Sequence, residues 1–292
     1  MPVDVHQLSY GLGAEIRGVD LSRPLDPDTV GAIRRAWLEH GVLLLRDQDI
    51  APEDHIRFSR YFGPVEDYPL VHYRHPEHPE IFLLSNRDGE GRPAQTRNAG
   101  RHWHSDLSFT ARPALGSVLR CLKIPDIGGD TIFANQYLAY EMLSPAFRAF
   151  IDPLEAVHEL FSKTRDLKNL DQGQVRDMKK ANPRIVQPVV RVHPETGRKA
   201  LYVSIAVTTG IVGLDEEESD AVLGFLFAHQ TQVQFTYRHR WRPNDILMWD
   251  NRCTLHMAVP DNDHRQVRLM HRTSISGTPC GRVLDEDRQE AA

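Results

Sequence analysis

The stretch Ser117-Val118-Leu119-Arg120-Cys121-Leu122-Lys123-Ile124-Pro125-Asp126-Ile127-Gly128-Gly129-Asp130-Thr131-Ile132-Phe133-Ala134 decides how the chain folds. Two apolar runs, Ser117–Leu122 and Thr131–Ala134, read as strands joined by a tight turn of proline, aspartate and glycine, with no helix between them. The same grammar recurs downstream. Val189–Val192 and Ala200–Val203 flank the turn His193-Pro194-Glu195-Thr196-Gly197, a hairpin signal, and Val233–Tyr237, Ile246–Trp249 and Val267–Ile275 complete the strands. Upstream, the segment to Leu25 reads as one or two strands, and Val42–Leu45 and Ile81–Leu84 as short buried ones. Helices gather at the N-terminus and in insertions. Asp26-Pro27 caps one that ends at Gly41, Pro52–Phe62 is a second, Gln136–Leu160 reads as a third, and Asp215–His229 as a fourth with Ala221, Val222, Phe225 and Leu226 as its buried stripe. Strands and helices do not alternate as β-α-β units. The expectation is a mainly β chain with helical insertions (α+β), folded as a double-sheet jelly roll in a single domain over residues 1–292. An insertion at about 136–183 ends in the charged, aperiodic segment Phe161–Pro183, expected as a solvated surface insertion with a lid as the alternative.

Bulk properties narrow the function classes. With 40% hydrophobic and 26% charged residues, the 292-residue chain has an ordinary globular composition and can bury a core without disulfide or metal staples. A formal net charge of -5 argues against nucleic acid as a partner. Cys121, Cys253 and Cys280 are odd in number and widely spaced, which points to reduced thiols. The N-terminus lacks signal-peptide features, and no apolar run approaches the roughly 18 residues of a membrane span. The expectations are a cytoplasmic protein without a membrane partner and, for its assembly, a homo-oligomer.

The densest cluster of potential metal ligands is Arg101-His102-Trp103-His104-Ser105-Asp106. On an extended backbone His104 and Asp106 project to one side, with Trp103 opposite as packing. A site needs a third donor. Among 15 histidines, His256 is the candidate, because the strand ending at Trp249 turns through Asp250-Asn251-Arg252 and resumes at that histidine beside apolar neighbours; a hydrogen-bonded core histidine is the alternative. Arg268 and Arg272 are four apart in a strand, so both face one side, either solvent or an interior that must then supply or bind carboxylates. His102, His264 and His271 read as surface or supporting residues.

Taken together, His104-x-Asp106, Gly128-Gly129-Asp130-Thr131, Trp249-Asp250-Asn251-Arg252, His256 and the Arg268/Arg272 pair resemble the motif set of the Fe(II)- and 2-oxoglutarate-dependent dioxygenases of the taurine dioxygenase and 2,4-dichlorophenoxyacetate dioxygenase (TauD/TfdA) family. The resemblance runs from about Leu12 to Ile275 and takes in Gly13-Ala14-Glu15-Ile16 and Thr196-Gly197-Arg198-Lys199. It implies a double-stranded β-helix, the cupin-like jelly roll. It implies Fe(II) held by His104, Asp106 and His256, 2-oxoglutarate held by Thr131 and Arg268, O2 as oxidant, and Arg272 on an anionic group of a small-molecule substrate. Substrate hydroxylation with succinate and CO2 as co-products would follow, and a product hydroxylated next to an ether or sulfonate oxygen would collapse to a carbonyl compound. Two departures bear on substrate. The loop Tyr68-Pro69-Leu70-Val71-His72-Tyr73 offers no single register against the sulfonate-gripping His and Tyr of the taurine enzymes, and Ser204 and Val207 replace the family's usual Asn and Phe. An aryloxyalkanoate, alkyl sulfate or sulfonate is expected in place of taurine. A zinc hydrolase using the same His/Asp/His donors and a non-catalytic jelly-roll binding protein are the rival readings.

Overall fold

The strand that opens the decisive stretch is longer than its apolar run. It spans Ala114–Lys123 and lies inside a seven-stranded sheet in the computed structural model, which describes residues 3–65, 73–88, 90, 92, 94, 100–160, 173, 176, 180–263 and 265–284. In chain order the strands are β1 (Asp4–Gln7), β2 (Ala14–Arg17), β3 (Val42–Leu45), β4 (Phe82–Ser85), β5 (Ala114–Lys123), β6 (Thr131–Asn135), β7 (Glu155–His158) and β8 (Ile185–Pro188). They continue with β9 (Val190–Val192), β10 (Lys199–Leu201), β11 (Thr208–Ile211), β12 (Thr236–His239), β13 (Ile246–Asp250), β14 (Thr254–Ala258), β15 (Leu269–Ser276) and β16 (Arg282–Val283). The large sheet has the order β1-β2-β3-β13-β5-β15-β4, and its only parallel pair among the described residues is β2 with β3. The remaining strands form ladders β12-β6-β14, β11-β7-β8-β16 and β10-β9. Predominantly antiparallel pairing, with one β-α-β crossover among the described residues, from β2 through helix Pro27–His40 to β3, is the double-sheet, cupin-like architecture expected from the sequence.

Alternation along the central strands explains why their apolar runs are continuous. Val42, Leu44, Leu119, Cys121, Leu247, Trp249 and Met270 pack inward against Phe133 and Trp241. Leu43, Leu45, Val118, Ile246, Met248 and Ile275 point the other way, onto Ile33, Ala36 and Trp37 of helix Pro27–His40 and Phe58 of helix Pro52–Arg60. A strand covered on both faces has no polar side to show, so its sequence loses the period of two. The first helix starts as expected: Asp26 accepts from the Thr29 N–H at 2.9 Å, Pro27 occupies the first turn, and Gly41 at φ 69° ends it. A third cluster, with Leu143, Ile151, Val189, Leu201, Val203, Leu223 and Leu226, packs the other helices against the smaller ladders.

Several expectations change. The run Gln136–Leu160 is two short helices, Gln136–Glu141 and Pro145–Ile151, and then β7. Ser144 caps the second helix with Pro145 in its first turn, and Val189 N–H bonds the Leu154 carbonyl, which draws the chain after Pro153 into the β7–β8 ladder. Val233–Phe235 is a 3₁₀ turn, with strand pairing beginning at Thr236. In helix Glu216–His229 the buried residues are Ser219, Leu223 and Leu226, whereas Phe225 is 48% exposed. Ser219 accepts the Ile211 N–H at 2.8 Å, and this polar anchor turns the helix away from the face that apolar periodicity selects. Most of Phe161–Pro183, His264, and residues 68–72 of the substrate loop lie outside the described residues. No helix among the described residues is long and apolar enough to cross a membrane.

Candidate metal centre

The three donors meet. His104, Asp106 and His256 offer ligand atoms that all lie within 4.8 Å of one another. His104 Nε2 is 3.8 Å from Asp106 Oδ1, and His256 Nε2 is 3.8 Å from Asp106 Oδ2. The two imidazoles are brought together by backbone. His104 and His256 exchange both main-chain hydrogen bonds, at 3.0 and 2.9 Å, as an antiparallel bridge on the outer side of β14, whose other side pairs with β6. Asp106 does not continue an extended strand, as alternation alone would have it. The chain turns at Asp106, and Leu107 takes a left-handed φ of 57°. Two hydrogen bonds hold the turn: Asp106 N–H donates to Asn251 Oδ1 at 3.2 Å and Ser105 Oγ donates to the Asn251 carbonyl at 2.7 Å.

Each donor is in the protonation state a divalent metal needs. The His102 carbonyl accepts from His104 Nδ1 at 2.8 Å, so the lone pair sits on Nε2, facing Asp106. Burial pushes the His104 imidazole below its ordinary range against the pull of Asp106. His256 is driven well below its range by burial, reinforced by His104. Its ring is wedged between Trp249, at 4.7 Å between centroids, and Phe133, at 5.9 Å. Burial alone would raise the Asp106 carboxyl, but the Arg272 guanidinium, the two imidazoles and the Ser117 hydroxyl overcome it and hold the group well below the carboxylate range. Two neutral imidazoles and one carboxylate fit a first-row divalent ion and leave part of its coordination sphere open.

Arg272 lies in this cluster. Its Nη1 donates to Asp106 Oδ1 at 2.6 Å, and its guanidinium lies 5.0 Å over the Phe82 ring. Arg268 precedes β15 and is separated from Arg272 by a register shift at Leu269/Met270, so the two do not simply repeat along one strand. Its Nε donates to the Gly129 carbonyl at 3.1 Å. Burial lowers its pKa to about 10, which still leaves it charged near neutrality. Gly128 and Gly129 are both left-handed, and a Cβ on Gly128 would collide with the Asp261 backbone, which is why the turn before Thr131 needs glycine. Thr131 opens β6 on the same strand face as Phe133, and its hydroxyl accepts from Trp241 Nε1 at 3.0 Å. Ser204 and Val207 are both buried, in the turn after β10 that Thr208 Oγ1 ties to His158.

Two supporting residues have roles that spacing does not assign: Ser117 belongs to no motif, and Asn251 enters only as part of the Trp249-Asp250-Asn251-Arg252 turn. Ser117 Oγ donates to Asp106 Oδ2 at 2.7 Å, and Asn251 Nδ2 donates to Ser117 Oγ at 3.0 Å while Asn251 Oδ1 also accepts from Trp249 Nε1 at 3.0 Å. The Asp250-Asn251-Arg252 turn therefore works as a scaffold. Arg252 pairs with Asp250 and with Glu195, and His193 Nε2 lies 3.1 Å from Asp250 Oδ2. His193, Asp250 and Cys253 also lie within 4.8 Å of one another, but Arg252 neutralises that carboxylate and burial keeps the Cys253 thiol protonated.

Comparison with known proteins bears on the same residues. The Taurine catabolism dioxygenase TauD, TfdA family matches residues 4–274. The (S)-phenoxypropionate/alpha-ketoglutarate-dioxygenase of Sphingobium herbicidovorans is 32% identical over 285 residues, 95% of this chain and 96% of that protein. The alpha-ketoglutarate-dependent sulfate ester dioxygenase of Pseudomonas putida is 34% identical over 288 residues, covering 96% and 92%. A solved structure of AAD-2 in complex with Mn(II) and N-oxalylglycine superposes with a TM-score of 0.84 at 30% identity, covering 96% of this chain and 99% of that one.

Proposed function

The chain belongs to the TauD/TfdA family of 2-oxoglutarate-dependent dioxygenases, and from that membership we propose that it hydroxylates a small-to-medium anionic organic molecule of aryloxyalkanoate, alkyl sulfate or sulfonate type. The observation that carries the reading is the buried Arg272 guanidinium in direct contact with Asp106, between the donor cluster and the Phe82 ring. It is a cation with bidentate capacity where an anionic head group beside an apolar body would dock. Family membership displaces the zinc-hydrolase and non-catalytic readings.

In this reading His104, Asp106 and His256 hold Fe(II), Thr131 and Arg268 hold the distal carboxylate of 2-oxoglutarate, and Arg272 meets the substrate anion. The bound iron, with 2-oxoglutarate and O2, supplies an oxidation that places one oxygen atom in a substrate C–H bond and the other in succinate. The protein's part is placement. Neutral imidazoles and an ionised Asp106 keep the donors ready without proton release, and Arg268 and Arg272 orient two anions at different points. Trp249 and Phe133 fix the His256 ring and keep water from it. The named activities of the two relatives, on phenoxypropionate and on sulfate esters, support an organic anion larger than taurine. Buried free thiols at Cys121 and Cys253 support a reducing, cytoplasmic setting, and the homo-oligomer expected from the sequence is tested by light scattering on the purified chain.

Purified enzyme with Fe(II), 2-oxoglutarate and a panel of aryloxyalkanoates, alkyl sulfates and sulfonates should form succinate in step with one class of product. Succinate formation independent of every acid tried would count against the reading.

A further inference from the structure

Among the described residues four arginines are buried, and three have a carboxylate: Arg120 with Asp49, Arg252 with Asp250 and Glu195, and Arg272 with Asp106. The fourth, Arg191, does not. It is 4% exposed on β9, forms no ion pair, and its Nη1 has no hydrogen bond. A guanidinium almost wholly removed from water without a counter-charge is a costly arrangement. Among the described residues its neighbours are polar but uncharged. The guanidinium lies 4.8 Å over the ring of Tyr202, and the Tyr202 hydroxyl, beside Ser105 and Arg191, is buried and also lacks a hydrogen bond of good geometry. On its other side Tyr202 stacks on His158 at 6.1 Å, and His158 Nδ1 holds the Ser108 carbonyl at 3.1 Å. The hydroxyls of Ser108 and Ser204 are likewise buried and unpartnered. Burial keeps the Tyr202 phenol and the nearby Cys280 thiol protonated and His158 neutral, so none of them supplies the missing negative charge.

We propose that Arg191 and the Tyr202 hydroxyl bind a small monovalent anion, of halide or carboxylate class, in the layer beneath the segment 104–110 that carries two of the metal-centre donors. One positive charge calls for one negative charge, and a guanidinium N–H with a phenol O–H is a donor pair suited to a halide or a single carboxylate oxygen. The site is distinct from Arg268 and Arg272 and does not rest on the reaction assigned above.

The test uses the full chain in sodium methanesulfonate, chloride, bromide and acetate at matched ionic strength. Chloride and bromide, or acetate, should raise the melting temperature by about 2–4 °C over methanesulfonate, and Arg191→Met and Tyr202→Phe should abolish or halve that rise. Halide-only and acetate-only responses assign the two anion sources. Crystals of the unmodified protein grown in bromide should show an anomalous peak within hydrogen-bonding distance of Arg191 Nη1 and Tyr202 Oη, a readout that does not depend on the variants folding. Equal melting temperatures in all four salts, with ordered water alone at Nη1, would overturn the proposal.

Discussion

At the scale of the residue, the candidate centre depends on groups one step removed from its donors. Both Asp106 oxygens are spoken for within the protein, Oδ1 by Arg272 and Oδ2 by Ser117, so the carboxylate has one orientation and its charge is partly delocalised into the scaffold. Ser117→Ala removes one hydrogen bond to Asp106 and leaves Asn251 Nδ2 without its acceptor. Supporting shells of this kind are worth about 10–100-fold in metal affinity. Mn(II) affinity measured by calorimetry should fall by that factor in Ser117→Ala while the melting temperature moves by only a few degrees, and Ser117→Thr should recover most of the loss. Asp106→Ala is the stronger case. It should abolish Mn(II) binding and succinate formation together, and intact binding in that variant would remove Asp106 from the donor set.

At the scale of the element, close approach between layers sets the tolerance. Gly116 on β5 has no room for a side chain: a Cβ there would run into the Trp37 indole and lie 2.9 Å from the Trp249 carbonyl. Gly116→Ala must push helix Pro27–His40 off the sheet, and denaturant unfolding should register a loss of about 1–3 kcal/mol. This level also separates what could be read from the sequence from what could not. His104 and Asp106 were legible because they are neighbours, and Val42–Leu45 because a doubly covered strand is apolar throughout. Asp26 and Gly41 mark their helix because caps act locally. Ser117 was not legible, since its partner Asp106 lies across a turn and nothing in a serine on a strand announces its acceptor. The end of the third helix is not written locally, because β7 is set by pairing with β8, some thirty residues on, and the tilt of helix Glu216–His229 is not, because one serine hydrogen bond outweighs an apolar stripe. Counting by twos puts Arg268 and Arg272 on one face, and a register shift interrupts that count.

At the scale of the whole molecule, the histidines outside the candidate metal centre make stability depend on pH. Burial lowers His55 to about 3 and His158 and His271 to about 4, against an ordinary 6.5. Between pH 6.5 and about 4 the unfolded chain therefore binds protons that the folded chain refuses. The stabilisation is full above 6.5 and drains as pH falls, by about 1.4 kcal/mol per pH unit for each histidine. Aspartates held low contribute only below about pH 4, so the window 4.5–6.5 isolates the histidines. Urea midpoints should drop steeply across it and less steeply in His158→Gln; midpoints flat across the window would mean the buried rings accept protons in the folded state. The His104–His256 bridge has a different reach. Because these residues trade both main-chain hydrogen bonds, the separation of their side chains is inherited from the spacing between neighbouring strands, about 5.5 Å between Cα atoms in such a pair. That spacing is common to every antiparallel ladder and does not depend on which residues surround the cluster. The surrounding walls can thus be rewritten over evolution, or by a protein engineer seeking another substrate, while the distance between the two imidazoles is carried forward unchanged.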